Sequence, residues 1–141
     1  MKGKRLAALA LAVVMAFSLL TVPAGAVSFT DMVGHWARAD VEHLATEGIV
    51  NGTSATTFSP DDACTRGQVV TFLWRAAGQP EPKTSSSQFA DVQDSGAYYY
   101  KAVLWAVESG ITNGYEDGTF GPDKTCSRGE IVTLLHRAYN Q

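Results

Sequence analysis

Two arginines in this 141-residue chain occupy positions where a positive charge is electrostatically unfavourable. Arg66 and Arg128 each follow a hydroxyl residue, Thr65 or Ser127, of the type that precedes the first turn of a helix. A helix N-terminus carries roughly half a positive charge, so a cation there costs on the order of a few tenths of a kcal/mol unless an anion accompanies it. The repetition of this arrangement indicates a site for a negatively charged ligand.

Each arginine begins a helix that the sequence marks clearly. The hydroxyl residue stands three positions before Gln68 or Glu130, which is the spacing of a capping box. Apolar residues then recur at helical spacing, so each helix is predicted to bury one broad face. The predicted buried faces consist of Val69, Val70, Phe72 and Leu73 in the first helix, and of Ile131, Val132, Leu134 and Leu135 in the second.

These helices belong to a longer repeat. Residues 61–77 return sixty-two positions later as residues 123–139, with C-T-R-G-Q in the first copy and C-S-R-G-E in the second. Each copy also contains an F-x-D motif, an aromatic-led amphipathic segment, a G-I-x-N-G turn and a T-F-x-P-D segment, in that order. The amphipathic segments predict helices over residues 35–47 and 98–109. Each copy is therefore helix, structured loop, helix, and the predicted fold class is all-α.

The first residues have the features of a secretory signal peptide. Lys2, Lys4 and Arg5 form a basic start, residues 6–20 form an uncharged apolar run, and Ala-Gly-Ala at 24–26 is a cleavage signal, which predicts a signal peptide over residues 1–26. The apolar run is shorter than the roughly 20 residues that a membrane span needs, and no later stretch approaches that length. The mature chain then divides into a first repeat at 27–80, a linker at 81–88 and a second repeat at 89–141.

The charge balance disfavours nucleic acid as a partner. The chain has 11 basic and 14 acidic residues, and removal of the three basic residues of the signal peptide leaves 8 against 14, a net charge of −6. Affinity for nucleic acid comes largely from clustered lysines and arginines that neutralise phosphates. An anionic partner would therefore be recognised by individually placed arginines and not by the field of the whole molecule.

The two cysteines, Cys64 and Cys126, stand at equivalent positions in the two copies. Two cysteines alone do not make a zinc site. Their equivalence favours a shared packing role as small buried side chains at the joint between loop and helix, while an exported chain would also permit a disulfide between them.

Taken in order, the F-x-D, G-I-x-N-G and T-F-x-P-D motifs and the capped T-R-G-Q or S-R-G-E helix resemble the S-layer homology (SLH) domain. The resemblance covers nearly all of the mature chain, twice. It implies a secreted, non-enzymatic module of the bacterial cell wall or S-layer that binds an anionic, in many members pyruvylated, secondary cell-wall polysaccharide without a cofactor. Family members usually carry three repeats with ligand grooves between neighbours, so two repeats would supply one complete groove.

The resemblance also implies a set of polysaccharide-binding residues. Arg66 and Arg128 would hold the acidic group, because a guanidinium can bind a carboxylate through two parallel hydrogen bonds. The other candidates are Asp31 and Asp91 of the F-x-D motifs, the aromatic residues Trp36 and Tyr98, the loop glycines Gly52 and Gly114, and the capping residues Gln68 and Glu130.

Each candidate has a structural alternative. The arginines would equally form internal ion pairs with Asp61, Asp62 or Asp123. The aspartates of the F-x-D motifs would cap a helix or brace a loop, and the aromatic residues would line the core and expose one edge. The capping residues have a sufficient structural role already.

The sequence also bears on two other functional classes, an enzyme and a protein-docking module. An enzyme is disfavoured because the chain has no paired carboxylates, nucleophile elbow or H-E-x-x-H motif, and its three histidines do not recur at equivalent positions. A calcium loop of the EF-hand type that begins at residues 113–118 is excluded, because Tyr115 and Lys124 stand at its third and twelfth positions, where oxygen ligands are needed. A protein-docking module stays open, in which the two repeats complete a three-repeat arrangement as a homo-oligomer or with another SLH-containing chain.

Overall fold

In a computed structural model that describes residues 25–141, the chain folds into two helix-loop-helix repeats. The helices are α1 (Arg38–Thr46), α2 (Arg66–Ala76), α3 (Tyr100–Glu108) and α4 (Arg128–Tyr139), with a 3-10 turn at Thr30–Met32 ahead of α1. The described residues contain no strand, so the all-α prediction is confirmed, and none of their helices has the length and apolar character to cross a membrane. The signal peptide predicted at 1–26 lies outside the described residues apart from its last two positions.

Both capping boxes form as the spacing predicts. The Thr65 hydroxyl accepts a hydrogen bond from the Gln68 N–H at 3.2 Å, and the Gln68 Oε1 accepts one from the Thr65 N–H at 2.9 Å. Ser127 and Glu130 make the same exchange at 3.2 and 2.8 Å. Both pairs satisfy N–H groups that a helix start would otherwise leave without a partner.

The first helix of each repeat begins later than predicted. The predicted start of α1 was His35, but its ring Nδ1 accepts the Ala37 N–H at 3.2 Å, a local side-chain bond that competes with helix formation. The second begins at Tyr100, two residues late. Trp36 therefore lies ahead of α1 with 87% of its surface exposed, and the alternative in which it lines the core is wrong.

The two repeats contribute unequally to the core. The larger apolar cluster joins α2 and α4 to α3, whose Ala102, Val103 and Ala106 are fully buried. α1 instead packs on the loops of its own repeat, in a smaller cluster around Phe29 and Met32. This difference follows from composition, because α1 is polar at most of the positions where α3 is apolar.

The predicted buried face of α4 is only partly buried. Leu134 is inside the core, but Val132 and Leu135 are 63% and 54% exposed. In α2 the residue equivalent to Val132 is Val70, which is fully buried where α2 packs against α3. No helix of residues 25–141 takes the corresponding place beside α4, so this apolar face is left open.

The two repeats contact each other at the starts of their capped helices, and we call this contact the joint. Thr65 and Thr125 form an isolated antiparallel bridge, and the Cys126 N–H donates to the Cys64 carbonyl at 2.9 Å. Both cysteines are free thiols in the core cluster, with Cys126 buried and Cys64 half-buried, which confirms their packing role. The Gly67 N–H donates to the Pro122 carbonyl of the second repeat at 2.9 Å.

The predicted linker at 81–88 is held against α3. The Glu108 carboxylate at the end of α3 accepts the N–H groups of Lys83 and Thr84 at 2.9 and 2.7 Å. These hydrogen bonds lower the pKa of Glu108, with the Thr84 hydroxyl contributing most. The linker is therefore held in place by α3 where it connects the repeats, and we call residues 81–88 the strap.

The joint predicts opposite effects for two equivalent glycines. A Cβ added at Gly67 would lie 3.0 Å from the Pro122 carbonyl oxygen and 3.1 Å from the Tyr99 ring, whereas one at Gly129 would meet nothing within 4 Å. We expect Gly67→Ala to lower the free energy of unfolding by about 1–2 kcal/mol through overpacking. The matched control Gly129→Ala should leave it unchanged or raise it by up to about 1 kcal/mol. Urea denaturation measures both, and equal effects of the two substitutions would contradict this description of the joint.

Candidate functional site

Arg66 of the first repeat is inserted into the second repeat. Its guanidinium lies over the rings of Tyr115 and Phe120, at 4.6 and 4.9 Å from their centroids. The Nε donates to the Phe120 carbonyl at 2.9 Å, and the Nη1 donates to the Glu130 Oε1 at 3.1 Å. Only 5% of the residue is exposed. The internal ion pair foreseen as an alternative therefore exists, but its acid is Glu130 and not Asp61 or Asp62.

Glu130 has both carboxylate oxygens engaged. Its Oε2 accepts the Ser127 N–H of the capping box, and its Oε1 accepts from Arg66 and, at 3.1 Å, from the Tyr115 hydroxyl. The hydrogen bonds from Ser127 lower the pKa of Glu130 most, with Tyr115 and Arg66 adding to the effect. Glu130 thus neutralises the buried guanidinium and caps α4 at the same time.

Tyr115 is not among the predicted site residues, and it proves central to the joint. Its ring receives the Arg66 guanidinium, and the Lys124 Nζ lies 4.2 Å from the same ring centroid. Burial raises the pKa of its hydroxyl, which stays protonated and donates to Glu130. Tyr115 thereby links two cations and one carboxylate along one wall of a cleft.

An open cleft of about 510 Å³ lies beside this wall, and we call it the inter-repeat cleft. Its polar lining includes Arg66, Asn113, Tyr115, Glu130, Thr133 and Arg137. The Arg137 Nη1 donates to the Ile111 carbonyl at 3.2 Å, and none of the ion pairs found within residues 25–141 includes Arg137. Arg137 therefore brings a positive charge to the cleft that no carboxylate of the described chain neutralises.

A second cleft of about 510 Å³ lies in the first repeat, and we call it the first-repeat cleft. Its lining includes Asn51, Gly52, Thr53, Phe58, Gln68 and Arg75, together with Tyr98 from the second repeat. Arg75 is the equivalent of Arg137, sixty-two positions earlier. Neither arginine was among the predicted site residues, although their recurrence nine positions after Arg66 and Arg128 is a signal that the sequence contains.

Arg128 has the helix position of Arg66 but none of its contacts. It is exposed at the start of α4 and belongs to none of the ion pairs of the described residues, so Asp123 is not its partner. It lines neither cleft of this chain. Equivalent sequence positions therefore have opposite environments in the two repeats.

The aspartates of the F-x-D motifs brace the loops that line the clefts. The Asp31 carboxylate accepts the N–H groups of Phe58 and Ser59, the latter at 2.7 Å, and these hydrogen bonds lower its pKa. Asp91 accepts the N–H groups of Phe120 at 2.9 Å and of Gly121 at 2.7 Å. The structural alternative for both aspartates is confirmed.

The loop glycines are needed for close packing. A Cβ at Gly114 would collide with the ring of Phe89, and the backbone there has a φ of +75°, which favours glycine. A Cβ at Gly52 would lie 2.6 Å from the Phe29 ring. Each glycine lets the phenylalanine of its F-x-D motif pack beneath the loop.

The predicted site residues thus fall into three groups, according to whether they line the inter-repeat cleft, the first-repeat cleft or neither. Arg66, Gly114 and Glu130 line the inter-repeat cleft, and Gly52, Gln68 and the 53% exposed Tyr98 line the first-repeat cleft. Asp31, Asp91, Trp36 and Arg128 line neither.

A sequence profile of the S-layer homology domain matches residues 28–70 and 88–132, which together make up more than half of the chain. The chain belongs to the SLH domain family. The two matched segments correspond to the two repeats of the structure, each with its first helix, its loop and the first five residues of its capped helix. SLH domains are non-catalytic anchoring modules.

The SLH relatives include an endoglucanase of Bacillus sp. (strain KSM-635), 34% identical over 74% of this chain and 11% of its own length. A cellulosome-anchoring protein of Acetivibrio thermocellus is 29% identical over 79% of this chain and 26% of its own length. A surface-layer 125 kDa protein of Lysinibacillus sphaericus is 26% identical over 98% of this chain and 12% of its own length. The chain therefore spans about a quarter or less of these relatives.

The ion pair at the joint predicts a pH dependence of stability. Because the folded-state pKa of Glu130 lies below its ordinary value of 4.5, its contribution is fully present above pH 4.5 and is lost as the pH falls through the lowered pKa. We expect Glu130→Gln to destabilise the protein by about 1–2 kcal/mol at pH 7, because it leaves a buried guanidinium without its anion.

Urea denaturation between pH 7 and pH 3 measures both effects. The variant should lose less stability than the wild type on acidification, since the titrating group is gone. The control Glu116→Gln removes a carboxylate from an exposed loop position and should behave like the wild type. A variant as stable as the wild type at pH 7 would show that the ion pair does not hold the joint.

Proposed function

We propose that the two SLH repeats bind an anionic secondary cell-wall polysaccharide non-covalently and thereby anchor the chain at the bacterial surface. The observation that carries this proposal is the uncompensated Arg137 in the inter-repeat cleft, next to the fixed joint of Arg66, Tyr115 and Glu130. A pyruvate ketal or another carboxylate of the polymer is the ligand group that such an arginine would bind through two parallel hydrogen bonds.

The roles of the two arginines in the inter-repeat cleft differ. Arg66 has its charge neutralised by Glu130 and its Nε engaged by a carbonyl, so it forms the cleft wall and holds Tyr115 in place. Arg137 makes one hydrogen bond to a backbone carbonyl and keeps its remaining donors for a ligand. The Asn113 amide and the Thr133 hydroxyl line the same cleft, where they would bind sugar hydroxyl groups.

The first-repeat cleft offers a second, weaker site of the same kind. Arg75 would supply the positive charge, and the half-exposed ring of Tyr98 would contact a sugar face. The joint arginine has no counterpart there, and Thr53 stands where the second repeat has Tyr115. We therefore expect the two clefts to differ in affinity.

Location at the cell surface is supported by the family and by the relatives that are named as cellulosome-anchoring and surface-layer proteins. A signal peptide at 1–26 would deliver the mature chain to the outside of the cell. The endoglucanase activity named for one relative is not part of the proposal, because this chain covers only 11% of that protein.

Binding to sacculi tests the proposal with a substitution that leaves the joint intact. We expect Arg137→Gln to weaken co-sedimentation with sacculi of the producing bacterium by about tenfold or more, since one charge-assisted contact contributes roughly 1.5–3 kcal/mol. Arg75→Gln should have a smaller effect. The control Arg38→Gln removes an exposed arginine of α1 that lines neither cleft, and should bind like the wild type.

Two further comparisons make this result decisive. Sacculi stripped of their secondary polymer by acid should no longer retain the wild type, and circular dichroism should show the same helical signal for all variants. Undiminished binding of Arg137→Gln would remove the inter-repeat cleft from the proposal, and retention on stripped sacculi would remove the polysaccharide.

A further inference from the structure

The two capped helices begin in different surroundings, although their sequences are equivalent. At the start of α2, Arg66 is buried in the second repeat, and the N–H groups of Arg66 and Gly67 donate to the Lys124 and Pro122 carbonyls at 2.9 Å each. At the start of α4, Arg128 is exposed and a Cβ on the next residue would meet nothing within 4 Å. The second repeat thus receives an arginine from the first, while its own arginine enters no other repeat within residues 25–141.

The first repeat has the equivalent positions of the receptor that holds Arg66, with one residue type unchanged, and within residues 25–141 they receive no arginine from the other repeat. The receptor of Arg66 is formed by Tyr115, Phe120, Lys124 and Glu130. Sixty-two positions earlier stand Thr53, Phe58, Asp62 and Gln68, and all four line the first-repeat cleft. This receptor carries one difference that favours a cation: where the second repeat has Lys124, the first has Asp62.

We propose that the start of α4 in one copy of this chain docks into the first-repeat cleft of a second copy. Arg128 then lies against Phe58 with Asp62 as its carboxylate partner, as Arg66 lies against Phe120 with Glu130. Glu130 has no acidic equivalent in the first repeat, where Gln68 takes its place. The acid is therefore supplied from the loop and not from the capping residue.

The exposed apolar face of α4 extends the same contact. Val132, Leu135 and Tyr139 are 63%, 54% and 86% exposed. Within the chain, the equivalent face of α2 is covered by α3. Since α1 is the equivalent of α3, docking by the same geometry places α1 of the second copy over this face of α4. Trp36 and Leu44 of the second copy, which are 87% and 37% exposed, would then contact α4.

The charges of the two helices fit this arrangement. Arg128 and His136 are exposed basic residues of α4, and α1 with its C-cap carries the acids Asp40 and Glu47, besides Glu42, which is paired with Arg38 of the same helix. The pairing of α2 with α3 inside the chain is largely apolar, since α3 has Ala102 and Leu104 where α1 has Asp40 and Glu42. The contact between copies is therefore more polar than the contact within one chain, which is typical of reversible association.

The contact joins two different surfaces, the start and apolar face of α4 as donor and the first-repeat cleft with α1 as receptor, so it is head-to-tail. A pair of copies therefore keeps one free donor surface and one free receptor surface. Repetition of the contact produces a closed ring or an open chain of copies, depending on the rotation between neighbours. The second copy, and not an unrelated protein, is the proposed occupant because its first repeat carries the equivalents of the residues that already receive Arg66.

Sedimentation velocity of residues 27–141 without any glycan tests the docking. We expect the sedimentation coefficient to rise with concentration over roughly a hundredfold range in the micromolar region. A donor-blocked variant, Arg128→Glu with Leu135→Asp, and a receptor-blocked variant, Trp36→Ala with Asp40→Lys, should each stay monomeric. Mixed together, they should form a one-to-one heterodimer, because each retains the surface that the other lacks.

The outcomes separate this inference from its alternatives. A wild type that stays monomeric at all concentrations overturns it. Self-association of the receptor-blocked variant alone would indicate a symmetric contact between two α4 helices, and that also overturns it. Lys83→Gln removes an exposed positive charge from the strap and should associate like the wild type. Circular dichroism of each variant confirms that its fold is retained, and the result is independent of polysaccharide binding.

Discussion

The buried guanidinium of Arg66 is the constraint on which the rest of the structure depends. A charge inside a protein must be neutralised, and Glu130 does this from the first turn of α4. Because Glu130 also caps α4, one carboxylate connects the start of that helix to the start of α2. The ring of Tyr115 completes the joint, which fixes the loop beside it and so gives the inter-repeat cleft a rigid wall.

The joint makes a repetitive sequence into an asymmetric molecule. The second repeat receives an arginine and is covered by the apolar helix α3, and its loop residue Phe120 is fully buried. The first repeat receives no arginine from its neighbour, and α1 covers only its own loops. The clefts of the two repeats are therefore lined largely by equivalent sequence positions, but only the inter-repeat cleft has an arginine from the other repeat in its wall. In the proposed association, α4 at one end of the chain is the donor surface and the first repeat at the other end is the receptor.

Helix electrostatics separate the arginines into two kinds. Arg66 lies at a helix N-terminus, where a cation needs an anion, and the protein supplies that anion itself. Arg75 and Arg137 lie near helix C-termini, where the helix dipole favours a cation and no internal carboxylate is required. The two arginines proposed to bind an external ligand accordingly lie at the helix ends that tolerate a cation, nine residues after the pair that first attracts notice in the sequence.

Local sequence determined the elements of this protein, and only the tertiary structure decided which of their surfaces meet. The capping boxes at Thr65 and Ser127 depend on contacts within four residues, so spacing alone predicted both helices correctly. The partner of Arg66 lies sixty-four residues away, and the different fates of Arg66 and Arg128 arise because one repeat has a following neighbour and the other has none in this chain. Equivalent local sequences do not encode that difference, since it is a property of how the repeats pack.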